Sequence, residues 1–191
     1  MPFSRAPAWR YFPPTDPAPP PLAALAGAMK LLSDWLEHNF WPGTVGTSIA
    51  TVKITEQLEA HLAPESPPVI LQDGLRSGWN LETREGSLRI PLLYGEDGTD
   101  DYGVQPDLIH ASPDGSRTLV EIEGGGALNN NRVMKDLVET LLIPSAHQLA
   151  VVVPHAIHGR SPYNTTINLV TALYARQVPQ PHVLGVMVIG Y

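Results

Sequence analysis

The sequence predicts one α/β domain, a β-sheet of mixed direction with helices packed on it. Three observations predict it. Short strand-like runs separated by turn residues recur between Val69 and Tyr94. Two later stretches carry apolar residues at three- and four-residue steps, the period of an amphipathic helix. The unbroken apolar run Gln148–Val153 is of the kind found in strands covered on both faces.

The elements follow in chain order. Residues 1–21 are rich in proline, with Phe3, Trp9, Tyr11 and Phe12 interleaved. Proline fixes φ and removes a donor, so this arm is expected to be extended. Its aromatics are expected to pack on the body or on a partner subunit, or else the arm is a mobile tail. The remaining residues, 22–191, are expected to form one domain. Leu22–Phe40 reads as a helix, with Leu25, Met29, Leu32 and Leu36 on one face, ended by the Trp-Pro-Gly of Trp41–Gly43. A second helix is expected over Thr47–Leu62, broken by the prolines of Pro64–Pro68.

The period then changes. Val69–Gln72, Trp79–Arg84 and Leu88–Tyr94 read as strands, and Gly95–Gly103 as an acidic loop. Gln105–Ala111 and Arg117–Glu123 read as a strand pair joined by a turn at Ser112–Gly115. Asn129–Asn131 are expected to cap a helix running to about Leu142 through a side-chain oxygen. Its expected apolar stripe is Met134, Leu137, Val138 and Leu141. Gln148–Val153 is a strand, Pro162–Gln177 a helix and His182–Gly190 a last strand.

Composition excludes several classes. The 191 residues contain no cysteine, which removes disulfides, thiolate metal sites and a thiol nucleophile. The formal charge is −7, the wrong sign for binding nucleic acid by bulk electrostatics, so such a partner needs a local basic patch or metal ions. No apolar run reaches the roughly 18–20 residues that span a bilayer, and the N-terminus lacks the pattern of a signal peptide. The expectation is a cytoplasmic protein with no membrane association.

The chemistry concentrates between Val104 and Gly126. Side chains alternate along a strand, so Glu121 and Glu123 point the same way, about 7 Å apart. A turn before them brings back a strand that starts beside Pro106-Asp107. Asp107, Glu121 and Glu123 can then converge at one end of the sheet. At roughly 4 Å and an effective dielectric near 20, each like-charge pair costs about 4 kcal/mol. A hard divalent cation with oxygen ligands, Mg²⁺ or Mn²⁺, offsets that repulsion. The bland alternative is a solvated polar strand face.

Pro106-Asp107 followed by the strand "VEIE" resembles the PD-(D/E)XK, restriction-endonuclease-like, phosphodiesterase superfamily. The resemblance covers roughly residues 47–154 and implies a restriction-endonuclease-like mixed sheet flanked by helices, with an αβββαβ core. It implies Asp107 and Glu121 as metal ligands. The lysine of the superfamily motif falls on Glu123, so the motif here is Glu-x-Glu. Lys135, on the following helix, is the candidate replacement. Glu56 or Glu59 is the candidate for a further acid on the first core helix. What the resemblance implies is a metal-dependent endonuclease acting on DNA, with RNA left open. A duplex-cutting enzyme of this kind is expected to be a homodimer, with Phe3–Phe12 and Val183–Tyr191 as candidate contacts. The alternatives are a catalytically inactive nuclease fold that binds nucleic acid or serves assembly, and an α/β protein with no such site.

Other motifs carry less. Gly124–Gly126 lacks the spacing of a phosphate loop. It does precede a helix start, where a substrate backbone can approach and an anion is favoured. His155 and His158 need a third ligand to hold a metal. Asn164–Thr166 matches a glycosylation acceptor without secretory context. Arg132, Lys135 and Arg160 are candidates for a basic rim, with a surface pair between Lys135 and Glu139 as the alternative for Lys135.

Overall fold

The computed structural model describes residues 8–27, 29, 79–81, 89–123, 131–156, 159–176 and 185–190. The helix expected over Thr47–Leu62, with Glu56 and Glu59, lies outside them. So do the strand Val69–Gln72, residues 82–84, Gly124–Gly126, Asn129, Asn130 and His158.

The described chain begins with β1 (Ala8–Phe12) and a helix, α1, over residues 20–27. Then come β2 (Trp79–Leu81), β3 (Ile90–Tyr94), β4 (Asp100–Val104), β5 (Leu108–Ala111) and β6 (Arg117–Ile122). Helix α2 (Arg132–Leu142), strand β7 (Ala146–Val153), helix α3 (Pro162–Ala175) and strand β8 (Gly185–Gly190) follow. Among the described residues, six strands form one mixed sheet in the order β1-β8-β7-β6-β5-β2. The pairs β6–β7 and β7–β8 are parallel, and β1–β8, β5–β6 and β2–β5 are antiparallel.

The two parallel pairs are joined by crossovers through α2 and α3. Crossovers in one direction with the usual right-handed sense put both helices on one face. Val133 and Leu137 of α2, Ile167 and Val170 of α3, and Leu119, Leu149, Val151, Val186 and Val188 of the sheet share one core cluster accordingly. The other face is closed as well: Val120, Ile122, Ala150, Val152, Met187 and Ile189 are all buried. This double burial explains why β7 and β8 read as unbroken apolar runs.

Two expectations change. The acidic stretch Gly95–Gly103 is not all loop. Asp100–Val104 pairs antiparallel with Ile90–Tyr94, and the turn closes through Gly95 N–H to Thr99 O at 2.8 Å. Gly98 takes a positive φ of 77° there, and Asp97 accepts from both the amide and the hydroxyl of Thr99. Four acids made the segment look unstructured, but its backbone finds a partner strand. The cap of α2 also differs: Asn131 is left-handed, with φ 53°, and makes no side-chain cap bond. The arm takes one of the places expected for it, on the body of its own chain. The arm strand Ala8–Phe12 pairs along its length with β8 of its own chain, from Ala8 opposite Gly190 to Phe12 opposite Val186. Strand β8 is buried throughout, held between β7 and β1. Residues 8–12 thus belong to the same sheet, and of the candidate dimer contacts residues 3–7, 183, 184 and 191 lie outside the described residues.

The arm is seated by shape as well as by backbone pairing. The Tyr11 hydroxyl donates to Gln148 Oε1 at 3.0 Å, directly over Gly185. Phe12 stacks on Tyr174 with ring centres 5.7 Å apart. A Cβ on Gly185 would overlap the Tyr11 ring and come within 2.6 Å of Gln148 Oε1. Gly185→Ala is therefore expected to lower stability by about 1–3 kcal/mol, as overpacking does. Tyr11→Ala in the same chain should recover part of the loss contributed by the overlap. Urea unfolding of the two single variants and the double variant measures both effects, and simple additivity would refute the overlap.

Candidate functional site

On the face of the sheet that α2 and α3 cover, the rows across β6, β7 and β8 are set by register. One row is Leu119, Leu149 and Val186, and the next is Glu121, Val151 and Val188. An acid stands where the row calls for an aliphatic residue. The antiparallel register of β5 and β6 pairs Leu108 with Val120, so one further step sets Asp107 opposite Glu121 on this same face. Asp107 Oδ2 accepts the Ile122 N–H at 2.6 Å. Glu123 lies just past β6, its own N–H donating to Val152 O at 2.8 Å, so the parallel ladder carries on through it. By alternation Glu121 and Glu123 share the α2 side.

Helix α2 answers with more acid. Its buried positions are Val133, Asp136, Leu137 and Thr140. The expected stripe through Val138 is displaced: Val138 and Leu142 are each 49% exposed, while Asp136 is 4% exposed. The helix is rolled so that a carboxylate faces the sheet and two aliphatic side chains face outward. Asp136 and Glu139 are functional candidates that the sequence reading passed over. The signal was present, since Val133, Asp136, Leu137 and Thr140 recur at the i, i+3, i+4, i+7 spacing of a buried helix face. Asp136 was overlooked because an acid at such a position is normally assigned to solvent.

Glu121, Asp136 and Glu139 each offer a ligand oxygen, and these oxygens all lie within 4.8 Å of one another. Asp136 Oδ2 is enclosed and has no hydrogen-bond partner among the described residues. Its main-chain oxygen is satisfied, accepting from Thr140 Oγ1 at 2.7 Å. The cations stand at the rim. Lys135 Nζ bonds Glu139 Oε2 at 3.0 Å, and Arg132 reaches Glu123 Oε2 at 3.4 Å. Lys135 therefore makes the surface pair with Glu139, and its charge also acts on Glu121 and Asp136. Arg160 is exposed beyond β7, and His155 packs edge-on against Tyr163 at 4.9 Å.

The electrostatics follow from burial and crowding. Desolvation, then the charges of Asp136, Asp107 and Glu139, push the Glu121 carboxyl up to about 10, with Lys135 opposing. Burial and then Glu123 push Asp136 up to about 7, again against Lys135. For Lys135 partial burial works against the charge, yet the Glu139 bond and the surrounding carboxylates hold its pKa above the ordinary value. Without a cation, this cluster keeps protons that a solvated carboxylate would lose.

The residues present fit a hard divalent cation. The donors are all carboxylate oxygens, there is no thiolate, and one buried oxygen lacks a partner. Three acids can hold a metal ion here. The chain matches no protein-family model and no curated protein. No helix among the described residues is long and apolar enough to cross a membrane.

The raised Glu121 carboxyl has a measurable consequence. Its folded pKa lies above its unfolded value of 4.5, so the native state binds the extra proton between about 4.5 and about 10. Stability is then full below pH 4.5 with respect to this group, and falls as pH rises through that window. Above pH 7, where Asp136 has already titrated, the unfolding free energy in chelator is expected to decline from pH 7 to 9 by at most about 1.4 kcal/mol per pH unit for the one Glu121 proton. Glu121→Gln should flatten the profile. Denaturation across that range is the measurement, and a slope unchanged in the variant would contradict the assignment.

Proposed function

We propose that the chain is a metal-dependent endonuclease that hydrolyses phosphodiester bonds, with double-stranded DNA as its substrate. One observation carries the proposal: Asp107, Glu121, Asp136 and Glu139 gather from a hairpin and a crossover helix around the carboxyl end of β6. Ligand sites of open α/β sheets occur at the carboxyl ends of strands. The segment order β2, β5, β6, α2, β7 also runs parallel to the βββαβ portion of the restriction-endonuclease-like core, with β3 and β4 as an added hairpin. It supports the likeness first drawn from Pro106-Asp107 and the Glu-x-Glu strand.

A divalent ion of the Mg²⁺ or Mn²⁺ class, when bound, supplies Lewis-acid polarisation of a phosphate and an acidified water. The chain's own residues do the rest. Glu121 and its neighbours bind the ion, and bring it to an end of the sheet where phosphate would otherwise be repelled. Asp107 is oriented by the Ile122 amide. Lys135 places positive charge at the rim of the acids, the task that the motif lysine would perform from position 123. Cutting both strands of a duplex calls for two such sites, hence a homodimer.

A specific observation favours a second reading. Glu123 replaces the lysine and is engaged by Arg132, an arrangement that suits a nuclease fold that has lost catalysis and serves nucleic-acid binding or assembly.

Incubating the protein with plasmid and oligonucleotide substrates, with Mn²⁺ and with chelator, separates the two. Cleavage only with Mn²⁺ is the expected result. Glu121→Gln should abolish it while the fold persists by circular dichroism. Lys135→Ala should slow it about 100-fold, equivalent to about 2.7 kcal/mol of transition-state stabilisation. A metal-loaded protein that cuts neither DNA nor RNA would overturn the nuclease proposal.

A further inference from the structure

The geometry points to a divalent-cation seat on the helix side of β6, with Glu121, Asp136 and Glu139 as its ligands and Asp107 outside it as a positioning residue. The inference rests on the metal-dependent reading above and names the ligand set for it. That set is not the strand pair Asp107 and Glu121 that the motif alone implies.

Four observations lead there. First, ligand oxygens around a small hard ion lie about 3–4 Å apart, since each sits about 2.1 Å from the centre. Those of Glu121, Asp136 and Glu139 already fall within 4.8 Å, so small rotamer changes close the shell. Second, Asp136 is buried with Oδ2 enclosed and lacking a hydrogen-bond partner among the described residues. An enclosed carboxylate oxygen with no donor is costly, and a cation removes that cost. Third, α2 is rolled to turn Asp136 inward while Val138 and Leu142 stay half-exposed. Burial of apolar area alone would roll it the other way. Fourth, Asp107 bonds the backbone through Oδ2. β5 starts at Leu108, and the Asp107 carboxylate takes the Ile122 N–H that the ladder beyond it does not serve. It holds the end of β6, and Glu121 with it, in place.

Charge also balances. Three carboxylates are neutralised by one divalent ion together with Lys135, which already bonds Glu139 from the solvent side. Glu139 therefore closes the seat at its exposed edge, with Lys135 as the lid on that edge.

Mn²⁺ binding to the full chain, followed by loss of the free-ion signal in electron paramagnetic resonance, tests this without any nuclease assay. The wild-type chain should take up one ion. Asp136→Asn and Glu139→Gln should each weaken it about ten-fold or more. Asp107→Asn should keep the affinity within about three-fold. Thermal unfolding in chelator establishes that each variant folds, and Glu139→Gln, at the edge of the site, decides the matter if Asp136→Asn does not. The inference is overturned if the wild type binds no Mn²⁺, or if Asp107→Asn loses the ion while Glu139→Gln keeps it. The expected pattern supports the seat even in a protein that cuts no DNA, an outcome that would overturn the nuclease reading alone.

Discussion

The structure around the site depends on one constraint: the Glu121 carboxyl is largely withdrawn from water between β6 and α2, in a row whose other members are Val151 and Val188. Water cannot solvate it freely there, and its nearest polar company is more acid. A buried charge with no opposite partner costs several kcal/mol, so the group either keeps its proton or meets a cation. Everything placed near it takes one of those two forms. Asp136 shares the burial, Glu139 shares the crowding, and Lys135 and Arg132 supply positive charge only from the rim.

The sheet can support such a cluster because the rest of it is conventional. Both faces of β7 and β8 are buried, with aliphatic side chains from Leu149 to Val153 and from Val186 to Ile189. Parallel pairing to β6 fixes the height of Glu121, and the Ile122 amide bonded to Asp107 fixes the end of the hairpin. The arm strand closes the far edge beside β8, with Tyr11 seated against Gln148. The acids are grouped at the β5–β6 end of the sheet and on the helix above it. Function commonly sits where local rules are broken and the surroundings over-determine the arrangement.

The roll of α2 records the same balance. An amphipathic helix placed by apolar burial alone would hide Val138. Here it hides Asp136 and Thr140 beside Val133 and Leu137. The hydroxyl of Thr140 turns back to the Asp136 carbonyl, so its polarity is satisfied inside the helix. The Asp136 side chain has no such internal outlet, and this leaves it available to a ligand.

The sequence by itself determined the alternating elements from Leu88 onward, the Ser112–Gly115 turn and the common side of Glu121 and Glu123. Those features depend on local periods and on turn chemistry, which neighbouring residues specify. Gly115, with φ 84°, and Asp114, bonded to Ser116, show that chemistry at work in the turn. Tertiary structure decided three things that no local pattern contains. It paired the acidic segment Asp100–Val104 with β3, because unpaired backbone seeks a ladder whatever its side chains. It recruited the proline-rich arm as an edge strand, since β8 offered an open edge far along the chain. It also chose which arc of α2 faces the sheet, and so which acids join Glu121. That choice depends on how α2 packs against strands distant in the chain, Val133 and Leu137 meeting Leu119, Leu149 and Val151, which helical periodicity cannot register.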